Sequence, residues 1–221
     1  MPACDPQSDV TGVVIAGGRS SRMGHREKAL LDLAGEPILG RVIDRLRPQV
    51  GRIVINANGD PARFAAFALT VIADRMEGHP GPLAGLQAGL EWARRETPDA
   101  HFIASVAADT PFIPVDLVAR LLAAIGDTGA TSAIASSGGA WTPVVGVWNI
   151  ALADALADAL RAGVRAVHRF AEAQGSAVVE FPYLEIGGDQ IDPFFNINTP
   201  EDLEKARALL AAHDDAETAR G

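Results

Sequence analysis

Residues 13–24 read VVIAGGRSSRMG, and Lys28 follows shortly after. Val13, Val14 and Ile15 are β-branched and apolar, the composition of a strand buried on both faces of a parallel sheet. Gly17 and Gly18 then permit a tight turn and a close approach of backbone to ligand. Backbone N–H groups exposed by such a turn make a nest for phosphate oxygens, and Arg19, Arg22 and Lys28 add positive charge around it. The guest that fits is a polyphosphate. A glycine pair alone also occurs in plain strand-to-helix turns with solvated arginines; the preceding strand and the cations favour a phosphate site. Spacing separates this loop from better-known ones. A P-loop has four residues between its glycines and then Lys-Ser or Lys-Thr, whereas five residues lie between Gly18 and Gly24, and His25 and Arg26 come next. The dinucleotide fingerprint is also absent, since Ser20 stands where its second glycine belongs.

The rest of the chain bounds the protein that carries this loop. With 221 residues and 48% hydrophobic composition, it suits one globular α/β domain, expected over residues 10–211, with polar, disordered ends at 1–9 and 212–221. A net charge of -9 argues against a nucleic-acid partner, which would call for a basic face. The lone Cys4 excludes an intrachain disulfide and a cysteine zinc cluster, in keeping with a reducing cytoplasm. Asp5 and Asp9 stand where a signal peptide would be basic and apolar, and no run approaches the ~18 apolar residues of a membrane span. A soluble, cytoplasmic protein without a membrane partner is expected.

Short apolar runs predict strands near 12–16, 52–57, 69–73, 101–107, 131–135 and 143–148. Between them, Leu39, Val42, Ile43 and Leu46 after Pro37 share one helical face, as do Leu83, Leu86, Leu90 and Ala93, and then Val115, Val118, Leu122 and Ile125. Thr199-Pro200 is an N-cap and first-turn pair for a last helix burying Leu203, Ala206 and Leu210. This alternation predicts right-handed crossovers and an open, mostly parallel twisted sheet with helices on both faces. Residues 138–148 and 177–195 break the rhythm, and an antiparallel piece is expected there.

Ligands of open α/β sheets sit beyond the carboxyl ends of the strands. There the sequence places the loop after Ile15, Asn56, Asp74 and Asp109. Asn56 and Asp74 serve equally well as turn residues or as ligands. Asp109 reads either as the N-cap of a following helix or as a ligand for Mg²⁺, a hard cation usually held by one or two carboxylates plus substrate phosphates. Pro111 and Pro114 and the nearby phosphate loop favour the metal. No HExxH-type spacing joins His25, His79, His101, His168 and His213.

GGRSSRMG with Lys28, PGPLAG at 80–85, ADTP at 108–111 and NINTPEDL at 196–203 occur in an order that resembles the molybdenum cofactor guanylyltransferase (MobA) family from about residue 11 to 210. The resemblance implies a Rossmann-like fold of nucleotide-diphospho-sugar transferase type that binds GTP and Mg²⁺, transfers GMP to the terminal phosphate of molybdopterin and releases pyrophosphate. Ile15, Ala16, Gly17 and Gly18 match its GTP loop, Lys28 its lysine, and Asn56 and Asp74 further nucleotide contacts. Asp109 matches the magnesium ligand, and Arg165, Asn196 and Asn198 match the pterin side. Transient contacts with molybdenum cofactor biosynthesis proteins and apo-molybdoenzymes are implied too. Two positions depart from the family pattern: Ile15 replaces a leucine, and Glu27 replaces an aspartate before Lys28.

Phosphoryl-type transfer asks a protein mainly to position reactants and offset charge. Arg22 and Lys28 would offset the charge of the departing pyrophosphate and Asp109 would hold the metal, without a general base, because a phosphate nucleophile is already ionised. Guanine offers N1–H and N2–H donors, for which Asp74 is a candidate acceptor. Two other readings stay open: a cytidylyltransferase or other small Mg²⁺-dependent nucleotidyltransferase, and a non-catalytic nucleotide-binding protein that delivers cofactor.

Overall fold

The VVI run lies inside strand β1 (Val10–Ile15), all six of whose residues are buried. The computed structural model describes residues 9–17, 28–75, 81–186 and 188–218, with backbone alone beyond residue 212. Gly18, Arg19 and Arg22 of the expected phosphate loop, and Glu27, lie outside the described residues. β1 pairs in parallel with β4 (Arg52–Asn56) on one side and β6 (Phe102–Ala107) on the other. A central strand flanked by parallel neighbours has helices over both faces, which is why it carries apolar side chains without alternation.

The full sheet has seven strands in the order β5-β4-β1-β6-β8-β7-β9, where β5 is Thr70–Ile72, β7 is Ser132–Ser137, β8 is Ala140–Asn149 and β9 is Ala177–Glu180. β8 runs antiparallel to both β6 and β7, while β7 and β9 are parallel. The antiparallel piece expected around 138–148 is therefore an internal strand. Its insertion leaves the carboxyl ends of β6 and β7 on the same side of the sheet as those of β1, β4 and β5.

Helices α1 (Ile38–Leu46) and α3 (Leu117–Thr128) cover one face, packing Leu39, Val42, Leu46 and Leu121 against Val14, Ile55 and Val147. The other face receives α2 (Pro82–Glu96), α4 (Ala153–Arg161) and α5 (Val167–Ala173), with Leu83, Leu86, Leu90, Leu156 and Phe170 around Val13, Ile103 and Trp148. Each of these fully buried side chains contributes roughly 1.5–3 kcal/mol relative to exposure. The short pair β2 (Asp32–Leu33) and β3 (Glu36–Pro37), the hairpin β10 (Leu184–Ile186) and β11 (Asp189–Ile191), and α6 (Pro200–Thr218) enclose a third cluster of Leu33, Ile38, Phe112, Ile197, Leu203 and Ala206.

One expected helix face is corrected. Val115 is 70% exposed and precedes α3, whose buried residues are Leu117, Val118, Leu121 and Ile125. Pro114 delays the helix, and a face counted from Val115 is out of step with the turn that forms. α4 and α5 were not among the expected helices. α6 continues beyond the expected boundary at residue 211.

Candidate active site at the carboxyl ends of the parallel strands

Where β1 ends, the backbone is held by its neighbours on both sides. The Ala16 N–H donates to the Asn56 carbonyl at 2.8 Å, and the Ala108 N–H donates to the Ile15 carbonyl at 3.0 Å. Ile15 and Ala16 are thus fixed between the ends of β4 and β6, and Gly17 follows directly. α2 comes down close beside them. A Cβ on Gly85 would lie 2.2 Å from Asn56 Oδ1 and one on Gly89 2.8 Å from Val13 Cγ2, so the two glycines let this helix approach the strand ends. Pro82 occupies the first turn of α2. The PGPLAG motif therefore starts the helix and makes room for Asn56 at once.

Asn56 is 1% exposed. Its Nδ2 donates to Asp74 Oδ1 at 2.9 Å and to the Ile72 carbonyl at 3.3 Å. Asn58 Nδ2 donates to the other Asp74 oxygen, Oδ2, at 2.7 Å, and the Asp74 N–H returns a bond to Asn58 Oδ1 at 2.9 Å. The structure thus joins Asn56 to Asp74 and adds Asn58, which sequence reasoning missed. The available signal was the i, i+2 spacing of the two asparagines, which places both on one side of an extended chain.

Asp109 lies just beyond β6. Thr110, fully buried, donates its hydroxyl to the Ala107 carbonyl at 2.7 Å and closes the turn, while α3 begins only at Leu117. Asp109 therefore caps no helix. Its carboxylate Oδ2 is ion-paired with Lys28 Nζ, and both side chains are about one-fifth exposed. Lys28 also donates to Asn198 Oδ1 at 2.8 Å. The Ile197 N–H donates to the Asp109 carbonyl at 3.0 Å, which docks the NINT segment directly on the end of β6. Ile197 is buried, and Asn196 and Asn198 on either side of it are exposed, sharing a face as expected.

The NINT segment is clamped from below. Asp202 Oδ2 accepts the N–H groups of Asn198 and Thr199, both at 2.9 Å, and the Asp202 N–H donates to Thr199 Oγ1 at 3.1 Å. This is a reciprocal cap at the start of α6, a T-x-x-D variant of the capping box. The Asn198 N–H, with those of Thr199, holds the Asp202 carboxyl below its ordinary range. The T-x-x-D spacing from Thr199 is the sequence signal for Asp202.

Arg165 does not join this network. Its Nη1 donates to the Leu160 and Val164 carbonyls at 2.8 and 2.9 Å, closing the end of α4. Its own carbonyl lies 3.8 Å from where a Cβ on Gly81 would stand, so the residue sits beside the entry to α2.

A metal at this site would need hard oxygen ligands, and the Asp109 carboxylate is one. Among the described residues no group of three His, Cys, Asp or Glu is placed to hold a cation. That donor set fits Mg²⁺, which usually takes one or two carboxylates and completes its shell with water and substrate phosphates.

A family model described as MobA-like NTP transferase domain matches residues 12–177. The chain is 47% identical over 210 residues to a molybdenum cofactor guanylyltransferase of Rhodopseudomonas palustris (strain BisB5), covering 95% of this chain and 97% of that one. It is 45% identical to the enzyme of the same name from Mesorhizobium japonicum, with 91% and 96% covered. Among solved structures, it resembles molybdopterin-guanine dinucleotide biosynthesis protein A from Archaeoglobus fulgidus with a TM-score of 0.67 and 23% identity, over 91% of this chain and 98% of that chain. A 4-diphosphocytidyl-2C-methyl-D-erythritol synthase from Anaerococcus prevotii superposes with a TM-score of 0.68 at 12% identity, over 91% and 96% of the two chains. At these identities the structural likeness establishes the Rossmann-like fold of the group.

Proposed function

Because the chain belongs to the family of MobA-like NTP transferase domains and is a nucleotidyltransferase of molybdenum cofactor biosynthesis, we propose that it transfers GMP from GTP to the terminal phosphate of molybdopterin and releases pyrophosphate. The observation that carries this reading is the Lys28–Asp109–Asn198 network. It joins the lysine that follows the phosphate loop, the carboxylate at the end of β6 and the segment assigned to the acceptor. Donor and acceptor phosphates would have to meet at such a junction.

In this reading an oxygen of the acceptor phosphate attacks the α-phosphorus of GTP, the new P–O bond forms there, and the bond to the β-phosphate oxygen breaks. The leaving pyrophosphate carries away the electron pair. Lys28 offsets the charge that accumulates on it, in the manner of other electrostatic stabilisers, and Arg22 is assigned the same task. Ile15, Ala16, Gly17 and Gly18 cradle the nucleotide. Asn56 and Asp74 contact the nucleotide, with Asp74 accepting from the guanine edge. Asn196, Asn198 and Arg165 serve the pterin side. Asp109 would hold Mg²⁺, which when bound supplies charge neutralisation between the phosphates. Transient contacts with molybdenum cofactor biosynthesis proteins and apo-molybdoenzymes, in the cytoplasm, belong to the same proposal. Among the described residues no helix is long and apolar enough to cross a membrane.

The test is incubation of purified protein with Mg²⁺, molybdopterin and each nucleoside triphosphate in turn, followed by identification of the product. A guanine dinucleotide and stoichiometric pyrophosphate are expected from GTP. A cytosine dinucleotide as the main product would replace this reading with the cytidylyltransferase one, and nucleotide binding without pyrophosphate release would replace it with a delivery protein.

A further inference from the structure

The last paired positions of β4 and β5 are Asn56 and Ile72. Two residues beyond each strand, in the same register, stand Asn58 and Asp74. Their side chains continue the ladder after the backbone has left it. Asn58 Oδ1 accepts the Asp74 N–H at 2.9 Å, and Asn58 Nδ2 donates to Asp74 Oδ2 at 2.7 Å. Asn58 is itself anchored, because the Arg63 guanidinium donates to its carbonyl.

A residue needed only to shape the turn would have done enough with the first bond. The second acts on the carboxylate. With Asn56 Nδ2 on Oδ1 at 2.9 Å, each oxygen of Asp74 is gripped by a different amide, and rotation of the carboxylate plane would break both bonds. Each oxygen keeps a further lone pair. A carboxylate fixed in its plane presents two acceptors side by side, the complement of two adjacent donors such as N1–H and N2–H of guanine. Cytosine and adenine offer one amino donor beside a ring acceptor, which a carboxylate does not satisfy.

We propose that Asn58 is a positioning residue for nucleotide-base selection, acting through Asp74. The inference rests on the guanine-nucleotide reading above and extends it to a side chain that need not touch the base.

Asn58→Asp separates the two bonds. The new carboxylate is close to isosteric and, when ionised, can still accept from the Asp74 N–H but cannot donate to Asp74 Oδ2, so the titrations are run at about pH 8 and above, where a proton shared by the two carboxylates is lost. Binding of GTP, CTP and ATP is measured by calorimetry for wild type, Asn58→Asp, Asn58→Ala, Asp74→Ala and the double variant Asn58→Asp/Asp74→Ala, with a melting curve for each. The readout is the GTP:CTP affinity ratio, and Asn58→Ala, which removes the same bond to Asp74 Oδ2 without adding a charge beside it, must lower that ratio as well. The ratio is expected to fall about tenfold in Asn58→Asp, the scale of one hydrogen bond to a charged group. It should fall no further in the double variant than in Asp74→Ala, because coupled residues are not additive. A wild-type ratio in Asn58→Asp, with only the melting temperature of Asn58→Ala lowered, would leave Asn58 a turn former and overturn the proposal. An undiminished ratio in Asp74→Ala overturns it as well, by removing the residue through which Asn58 acts. Absence of any GTP preference in the wild type overturns the guanine reading itself, a failure visible before any variant is made.

Discussion

Lys28 and Asp109, 81 positions apart in the chain, are ion-paired, so the cation assigned to the nucleotide phosphates rests on the carboxylate assigned to the metal. If Asp109 holds a divalent ion as proposed, the lysine competes with that ion for Oδ2 when no nucleotide is present. Lys28→Met should therefore bind Mn²⁺ more tightly than wild type when no nucleotide is present, as read by electron paramagnetic resonance titration. In the same variant the maximal rate should fall by roughly 10²-fold or more, the usual cost of losing a stabiliser of developing charge. Unchanged Mn²⁺ affinity would show that the pair does not compete with the metal. A raised Michaelis constant with a normal rate would make Lys28 a binder of ground state and transition state alike.

Asp109→Asn keeps the shape of the side chain and the backbone bond from Ile197, which uses the Asp109 carbonyl. The fold should survive, with a melting temperature within a few degrees of wild type, while Mg²⁺-dependent turnover is lost. Activity should decline far more than GTP affinity measured without metal. Near-normal turnover of the variant with Mg²⁺ would remove Asp109 from the metal role.

The parts of this protein legible in its sequence are those set by local pattern. β1 could be read because a strand covered on both faces needs no alternation, and the start of α6 because Thr199-Pro200 is a cap signal in itself. Asp109 could be placed because a polar residue ending a buried run marks the carboxyl edge of a parallel sheet. The contacts that make a site of these residues were not legible. Lys28 and Asn198 meet across 170 positions, and nothing local to either marks the other as its partner. Apart from its i, i+2 spacing from Asn56, nothing local to Asn58 marks it as more than a turn residue, and its contact with Asp74 depends on the register of β5. Helical spacing extends the α3 face back to Val115, but the first turn forms only at Leu117, beyond Pro114.

Asp202 links acid stability to the geometry of the acceptor segment. The N–H groups of Asn198 and Thr199 hold its carboxyl below the ordinary value of 3.8. A depressed carboxyl contributes stability that is fully present above the unfolded value and is lost as pH falls through the folded one. Asp202→Ala should thus cost about 1 kcal/mol or less at neutral pH, in the range of helix caps. The gap between the melting temperatures of variant and wild type should begin to close below about pH 3.8, the unfolded value, and vanish only beneath the lower folded one. The affinity for molybdopterin should drop at pH 7 as Asn198 loses its clamp. Parallel melting curves with a constant gap down to pH 2 would mean that the carboxylate bonds contribute nothing.

Gly85 offers a steric test of how α2 meets the site. A Cβ there would stand 2.2 Å from Asn56 Oδ1 and 3.3 Å from Ile15 Cγ2, both in residues assigned to the nucleotide. Asn56 cannot swing aside without losing its bonds to Asp74 and Ile72, so the helix must lift or the site must give way. Gly85→Ala should destabilise the protein by about 1–3 kcal/mol, as overpacking does, and should weaken GTP binding in proportion. Gly126 in α3 is the control, because nothing lies within 4 Å of its added Cβ. There alanine is the better helix former, and Gly126→Ala should stabilise by up to about 1 kcal/mol with nucleotide affinity unchanged. Denaturant midpoints and GTP titrations of the two variants together measure both effects. If Gly85→Ala were as stable and as tight-binding as Gly126→Ala, Asn56 would have another place to go, and its fixed position could not be what shapes the nucleotide site.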